Sequence, residues 1–203
     1  MAADLKGKKI GTPAGTGAQF FLTSFLPYHG IKEYEIVEMD IRPPDLHTAL
    51  DHKQVDAIAI WEPFAYKSSK LLEEKAVIFS IPKIYIETFN FVAMNDYADS
   101  HPEILKKILR AVEQSSIFMY THKNESIEIV AKNINMRKED VINFWDEYNF
   151  GVSLDQTLIM TLEEKARWLI KKKLGNGRDM PNYLNFISTA ALESVNPEAL
   201  TII

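Results

Sequence analysis

The residues best placed to do chemistry stand near the start of the chain, in GTPAGTGAQF (11–20). Three glycines, a proline and two threonines follow directly on the run LKGKKI. A phosphate-cradling P-loop needs GxxxxGK[ST], but here Gly11 is followed five residues later by Thr16 and no lysine follows. The dinucleotide pattern GxGxxG fails as well, because Gly15 and Gly17 fit its first two glycines while position 20 is Phe. What remains is a strand, a glycine-bearing loop and a helix start. The amides of Gly17, Ala18 and Gln19 then lack intrahelical partners, and the helix dipole adds partial positive charge. Such a terminus suits a small anion: a carboxylate, sulfonate or phosphate. A second reading stands beside it. Thr16 and Gln19 fit the capping box T-x-x-Q, in which the hydroxyl serves only its own helix.

Two further stretches carry polar or aromatic groups at strand ends. In AIAIWEPF (57–64) an apolar strand gives way to Trp61 and Glu62, and Pro63 sits where a first helical turn tolerates it. Ligands of open α/β sheets bind outside the carboxyl ends of the strands, which groups Thr12, Thr16, Trp61 and Glu62 at one edge. The alternative is that Trp61 packs at a domain junction and Glu62 favours the helix dipole. In IETFNFVAMN (86–95), Glu87, Thr88 and Asn90 precede or interrupt an apolar strand where the chain leaves its first lobe. Those groups either line a cleft or simply satisfy a strand end.

Catalytic constellations are thin. Glu73 with Glu74 and Glu163 with Glu164 are neighbours on helices, point different ways and read as solvated surface. Trp145 and Trp168 fall on apolar helical stripes and read as core. The chain has no cysteine, which excludes thiol catalysis, thiolate metal sites and disulfides. Its five histidines show no HExxH spacing, so neither a metal nor a cofactor is expected.

The elements that must position these residues follow from pattern. Over 203 residues, 46% hydrophobic and 25% charged, the composition is that of an ordinary globular protein. The net charge of -5 excludes nucleic acid as a natural partner, since no basic stripe is available; LIKKKLG (169–175) reads as the solvated end of a helix. No apolar run approaches a membrane span, and MAADLKGKK lacks the apolar core of a secretory signal.

KKIGTP (8–13), YEIVEM (34–39), VDAIAI (55–60) and AVIFSI (76–81) read as strands. Helices separate them at FFLTSFLPYHG, PPDLHTALDHKQ (43–54) and WEPFAYKSSKLL (61–72). This alternation predicts βαβ units with a parallel sheet. After the strand FNFVAMN (89–95) the chain turns helical. Helices are expected over 100–120, where Ser100 and Glu103 form a capping box around Pro102, then over 124–134, 138–148 and 154–173. GNGRDMPN (175–182) is a Gly/Pro turn. The expected division is an α/β ligand-binding lobe over 1–92 and a mainly helical part over 93–203, whose helices should pack on a sheet the chain does not contain.

With those residues in view, the chain resembles the NitT/TauT-type substrate-binding proteins of ABC transporters, which include sulfonate-, nitrate-, taurine- and thiamine-precursor-binding relatives. The matching text is DLKGKKIGTPAGTGAQFFL, PPDLHTALDHKQVDAIAIWEPF, FNFVAMNDYADSHPEILKKILRAV and NPEALTII. The resemblance implies a type 2 periplasmic-binding-protein-like α/β fold that closes on a small anionic or heterocyclic solute and hands it to an ABC permease, without catalysis. Carried over by position, Thr16, Gly17 and Ala18 meet the ligand's head group, Trp61 and Glu62 form the cleft edge, and Asn90 enters the return strand. The full-length protein would work outside the cytoplasm.

Two departures from the family stand out. The family often has a histidine or serine near Gly17 to Gln19, and its members begin with a sheet-bearing segment before DLKGKK. The expectation is therefore one complete lobe plus the helical C-terminal part of the other, with apolar helix faces that favour self-association. Alternatives are a sensory module of the same fold and a thiamine-precursor synthase-like enzyme. Against the latter stands the lack of a cysteine- and histidine-rich iron-binding segment.

Overall fold

The computed structural model describes residues 1–79, 85–174, 177 and 179–202. They divide into two compact units, one formed by Met1–Glu87 with Arg167–Asp179, the other by Thr88–Ala166 with Met180–Ile203.

The first unit is built on a parallel sheet. Strands β1 (Lys9–Thr12), β2 (Val37–Asp40) and β3 (Ala57–Ile58) lie in the order β2-β1-β3, with Lys9 opposite Val37 and Ile10 opposite Ala57. Helix α1 (Gly17–Tyr28) joins β1 to β2, and α2 (Leu46–Asp51) joins β2 to β3, as the alternation of the sequence requires. Successive strand residues face opposite sides. Ile10 therefore joins Leu22, Phe25, Leu26, Ile31 and Ala59 in the core beneath α1. Gly11, on the other side, meets α2 so closely that a Cβ there would stand 2.9 Å from Leu46 Cδ2. Any side chain at position 11 would force Leu46 of that helix to shift. Helix α3 (Phe64–Leu72) follows β3.

Residues 167–179 return to this unit from far along the chain. Trp168 packs edge-on against Phe20 at 5.5 Å and donates from Nε1 to Thr23 Oγ1 at 3.1 Å, while Lys172 pairs with Glu33 at 2.6 Å. The buried indole is the stronger attachment, because the ion pair is partly solvated and such pairs contribute at most about 1 kcal/mol.

The second unit is helical among its described residues. It contains α4 (Asn95–Ser100), α5 (Pro102–Thr121), α6 (Lys123–Asn133), α7 (Lys138–Trp145), the first part of α8 (Gln156–Lys172) and α9 (Ala190–Val195). Its core is Ile127, Ala131, Val141, Phe144, Trp145, Leu158, Ile159 and Leu192. Glu113 on α5 accepts from Asn196 just after α9 at 2.6 Å. Trp145 and Trp168 are both buried, as their apolar stripes predict.

Several local expectations are corrected. Ala76–Phe79 form no strand, and Ser80 and Ile81, the rest of that predicted strand, lie outside the described residues, as do Gly175, Asn176 and Arg178 of the predicted turn. The predicted strand through 89–95 is also absent. Residues 85–94 carry no ladder, and Phe89, Phe91, Val92 and Met94 are exposed. A strand needs a neighbour to accept its amides, however apolar its text. The Ser100–Glu103 capping box does not form either. Ser100 closes α4 and donates to the Asp96 carbonyl, and His101 starts α5.

Candidate functional site

The strand order places the candidate site. The chain runs from the central β1 outward to β2, then crosses back to β3 on the other side, so the order reverses between β1 and β3. In open parallel sheets the connections diverge at such a point and leave a crevice outside the strands' carboxyl ends. The two loops leaving that edge are Pro13–Thr16, leading into α1, and Ala59–Pro63, leading into α3. They carry Thr12, Thr16 and Gly17 on one side and Trp61 and Glu62 on the other. Trp61 keeps 43% of its surface exposed there and meets Phe64 edge-on at 6.3 Å. Glu62 accepts from the Tyr66 amide at 2.9 Å.

The α1 loop is held by its own polar groups. Asp40 accepts from the Ala14 amide at 2.9 Å, and Gln19 Oε1 accepts from the Gly15 amide at 2.7 Å. The Gln19 side-chain amide donates to Glu38. Thr16 is the residue before α1, but its hydroxyl donates to the Pro13 carbonyl at 2.7 Å and caps no helix amide. The capping box expected of Thr16 and Gln19 is therefore absent: both side chains turn back to fix the loop. Thr12, at the end of β1 on the side α1 covers, is wholly buried, and its Oγ1 has no hydrogen-bond partner among the described residues.

Gly17 opens the helix, and Ala18 beside it is buried. A carboxylate already stands against that opening. Glu87 Oε2 lies so close that a Cβ on Gly17 would collide with it, and Tyr85 Oη would be 3.1 Å from the same Cβ. The Tyr85 hydroxyl donates to Glu87 Oε2. Burial first, and that hydrogen bond second, push the Tyr85 phenol well above its ordinary range. Its ring is also set against Phe20 at 5.3 Å, so α1 itself holds the pair. The sequence offered Glu87 as a polar residue near a strand end. Its position on Gly17 has no local signal, because it depends on where the chain returns.

Magnitudes decide what this does to an incoming anion. A helix terminus attracts a unit negative charge by about 0.3–1 kcal/mol, and up to about 2 kcal/mol in favourable geometry. Two like charges about 4 Å apart near a protein surface repel by about 4 kcal/mol. With Glu87 ionised and in place, repulsion wins over the dipole for a bare anion at Gly17.

Asn90 is exposed and belongs to the second unit, in a stretch without strand pairing. A cavity of about 550 Å3 lies elsewhere in the first unit, lined by Leu22, Phe25, Leu72 and Ile78 among others, and touches none of the site residues. Its lining mixes these apolar side chains with Asp4, Lys8, Asp56 and Lys75, and it lies beside β3 at one edge of the sheet.

Residues 1–126 match the family described as NMT1/THI5 like. A Brucella abortus (strain 2308) protein named as a binding protein is 30% identical over 165 residues, 79% of this chain and 50% of its own length. The taurine-binding periplasmic protein of Escherichia coli (strain K12) is 25% identical over 113 residues, 53% of this chain and 34% of its own. The crystal structure of the periplasmic aliphatic sulphonate binding protein SsuA from Escherichia coli superposes with a TM-score of 0.80 at 20% identity, covering 94% of this chain and 65% of that one. At that identity the likeness is one of fold: α/β, with a small parallel sheet and many helices. The chain spans about half the length of the relatives it matches.

Proposed function

The chain belongs to the NMT1/THI5-like family, and from that premise we propose that it is the solute-binding component of an ABC import system, taking a small anionic or heterocyclic solute. The observation that carries this is the site at the reversal of strand order. Two loops leave the carboxyl ends of β1 and β3 and bring Thr12, Thr16, Gly17 and Ala18 to one edge with Trp61 and Glu62. A fixed loop, helix amides and a half-exposed indole can bind and orient a small molecule. Asn90 is retained as a contact on the strength of the family resemblance alone.

Nothing in this constellation pairs a nucleophile with a base, so the proposed role is binding without turnover. The proposed partner is a membrane permease and the proposed location extracytoplasmic, a reading supported by the periplasmic taurine-binding and sulphonate-binding relatives. Exposed Phe89, Phe91, Val92 and Met94, with Ile104, Ile108 and Ile117 on α5, further support self-association of the chain.

Thermal unfolding across sulfonates, nitrate, carboxylates, pyrimidines and flavins tests the reading. A cognate solute at a hundredfold excess over Kd stabilises by about 2.7 kcal/mol, and a chain that responds to none of them is not a solute-binding protein of this kind. Size-exclusion chromatography with a hydrophobic dye tests the self-association: a clean monomer that leaves the dye dark refutes it.

A further inference from the structure

The solute-binding reading leaves open which chemistry the α1 loop prefers. Three carboxylates are attached to that loop: Asp40 on the Ala14 amide, Glu38 on the Gln19 side chain, and Glu87 against Gly17. Among the described residues, neither Glu38 nor Asp40 forms an ion pair with a lysine or arginine. Glu87, an exposed residue, is the one that stands against the first residue of the helix, and the half-buried Tyr85 donates its hydroxyl to it.

We infer that Glu87 determines specificity at this site, favouring solutes that carry an amine or another strong hydrogen-bond donor over bare anions of the same size. The inference rests on the solute-binding reading above and names the solute class for that same site. Four features of the structure support it. A carboxylate accepts hydrogen bonds and donates none while ionised, so Glu87 rewards a donor and repels a second anion. Glu38 and Asp40 add the same sign of charge around the loop. Gly17 itself places no side chain between the helix start and Glu87, since any Cβ there would strike the carboxylate. Behind the loop, the buried Thr12 hydroxyl has its hydrogen-bonding capacity unspent, a feature buried polar groups rarely show away from a ligand or water.

An amine-bearing solute therefore meets the loop with its cation toward Glu87. Any acidic group it also carries is left to the amides of α1 beyond the carboxylate. A bare anion must first displace Glu87 and break its bond to Tyr85.

The test uses matched pairs that differ by one amine, measured by calorimetry on the 203-residue chain: taurine with ethanesulfonate, β-alanine with propionate, and 4-aminopyrimidine with pyrimidine. In the pair that binds, the aminated member is expected to bind about tenfold or more tightly. Glu87→Gln keeps the shape and removes the charge, and should shrink that preference to about threefold or less, mainly by strengthening the amine-free member. Tyr85→Phe removes only the hydroxyl that holds the carboxylate and should fall between the two; it also serves where Glu87→Gln unfolds. Circular dichroism confirms that each variant is folded. Equal binding within the pair, or a preference that both folded variants leave unchanged, overturns the inference while solute binding stands. Failure of all six compounds, and of the wider panel, overturns both.

Discussion

Two helix beginnings, those of α8 and α1, show how differently this chain treats the same physical problem. Each helix starts with amides that no upstream carbonyl can satisfy. At α8 the solution is local. Asp155 accepts from the Thr157 amide at 2.9 Å and from the Leu158 amide at 3.3 Å, and Ser153 donates to its other oxygen at 3.1 Å. Burial pushes the Asp155 carboxyl up, but the hydrogen bonds from Ser153, Thr157 and Leu158 outweigh it and hold the group below its ordinary range. At α1 the residue in the corresponding place, Thr16, turns its hydroxyl to Pro13 instead. A carboxylate from the distant Glu87 stands against the opening. The first start is closed by its own sequence; at the second, the group standing against the opening is supplied by the fold.

Four substitutions can break or sharpen that contrast. The largest effect is expected away from both termini. Leu26→Ala removes a buried side chain from beneath α1 and should cost about 2–5 kcal/mol in urea unfolding, because packing and not capping holds this helix. A loss below 1 kcal/mol would mean that α1 is not anchored by its buried face. Asp155→Ala should cost about 1 kcal/mol at pH 7, the usual value of a side-chain cap.

The pH dependence of the Asp155 cap has a definite sign. Its carboxyl is lowered in the folded state from 3.8, so its stabilisation is present above that pH and fades as pH falls through the lower folded value. Stability curves for parent and variant should therefore converge only below about pH 4; a constant offset down to acid would contradict the cap. Glu87→Gln comes next, at about 0.3–1 kcal/mol, the worth of a charge at a helix start. Thr16→Ala should be the mildest, about 0.5 kcal/mol, since one partly buried bond to Pro13 is lost and no helix amide is orphaned. If Thr16→Ala costs as much as Asp155→Ala, the hydroxyl is capping α1 in solution.

A second pair of segments explains how far pattern alone can be trusted. KIGT of β1 and FNFVA at 89–93 are both short stretches that the sequence offers as strands. The first lies between β2 and β3 and has every neighbour a central strand needs. The second has none among the described residues, and its aromatic side chains stand in solvent. Strand text therefore announces a capacity for pairing, and only the presence of a neighbour turns it into a strand. The same distinction applies to Ala76–Phe79, the described part of the strand predicted there.

The sequence by itself determined whatever depends on neighbours a few residues away. The alternation of short apolar runs with helical stretches gave β1, β2 and β3 and the helices between them. Apolar spacing gave α5 to α8 nearly to their ends, and placed Trp145 and Trp168 indoors. Spacing also removed both nucleotide-binding readings of GTPAGTGAQF, since each needs a residue the loop lacks. Only the tertiary structure decided what depends on separation in the chain. It set the order β2-β1-β3, and with it the sheet edge from which the loops carrying Thr16 and Trp61 leave. It brought Trp168 back to Thr23, turned Thr16 away from its own helix, and set Glu87 on Gly17. Periodicity records which face of an element is apolar, but carries no information about which distant residue will come to rest against it. At this loop, that distant residue is a carboxylate.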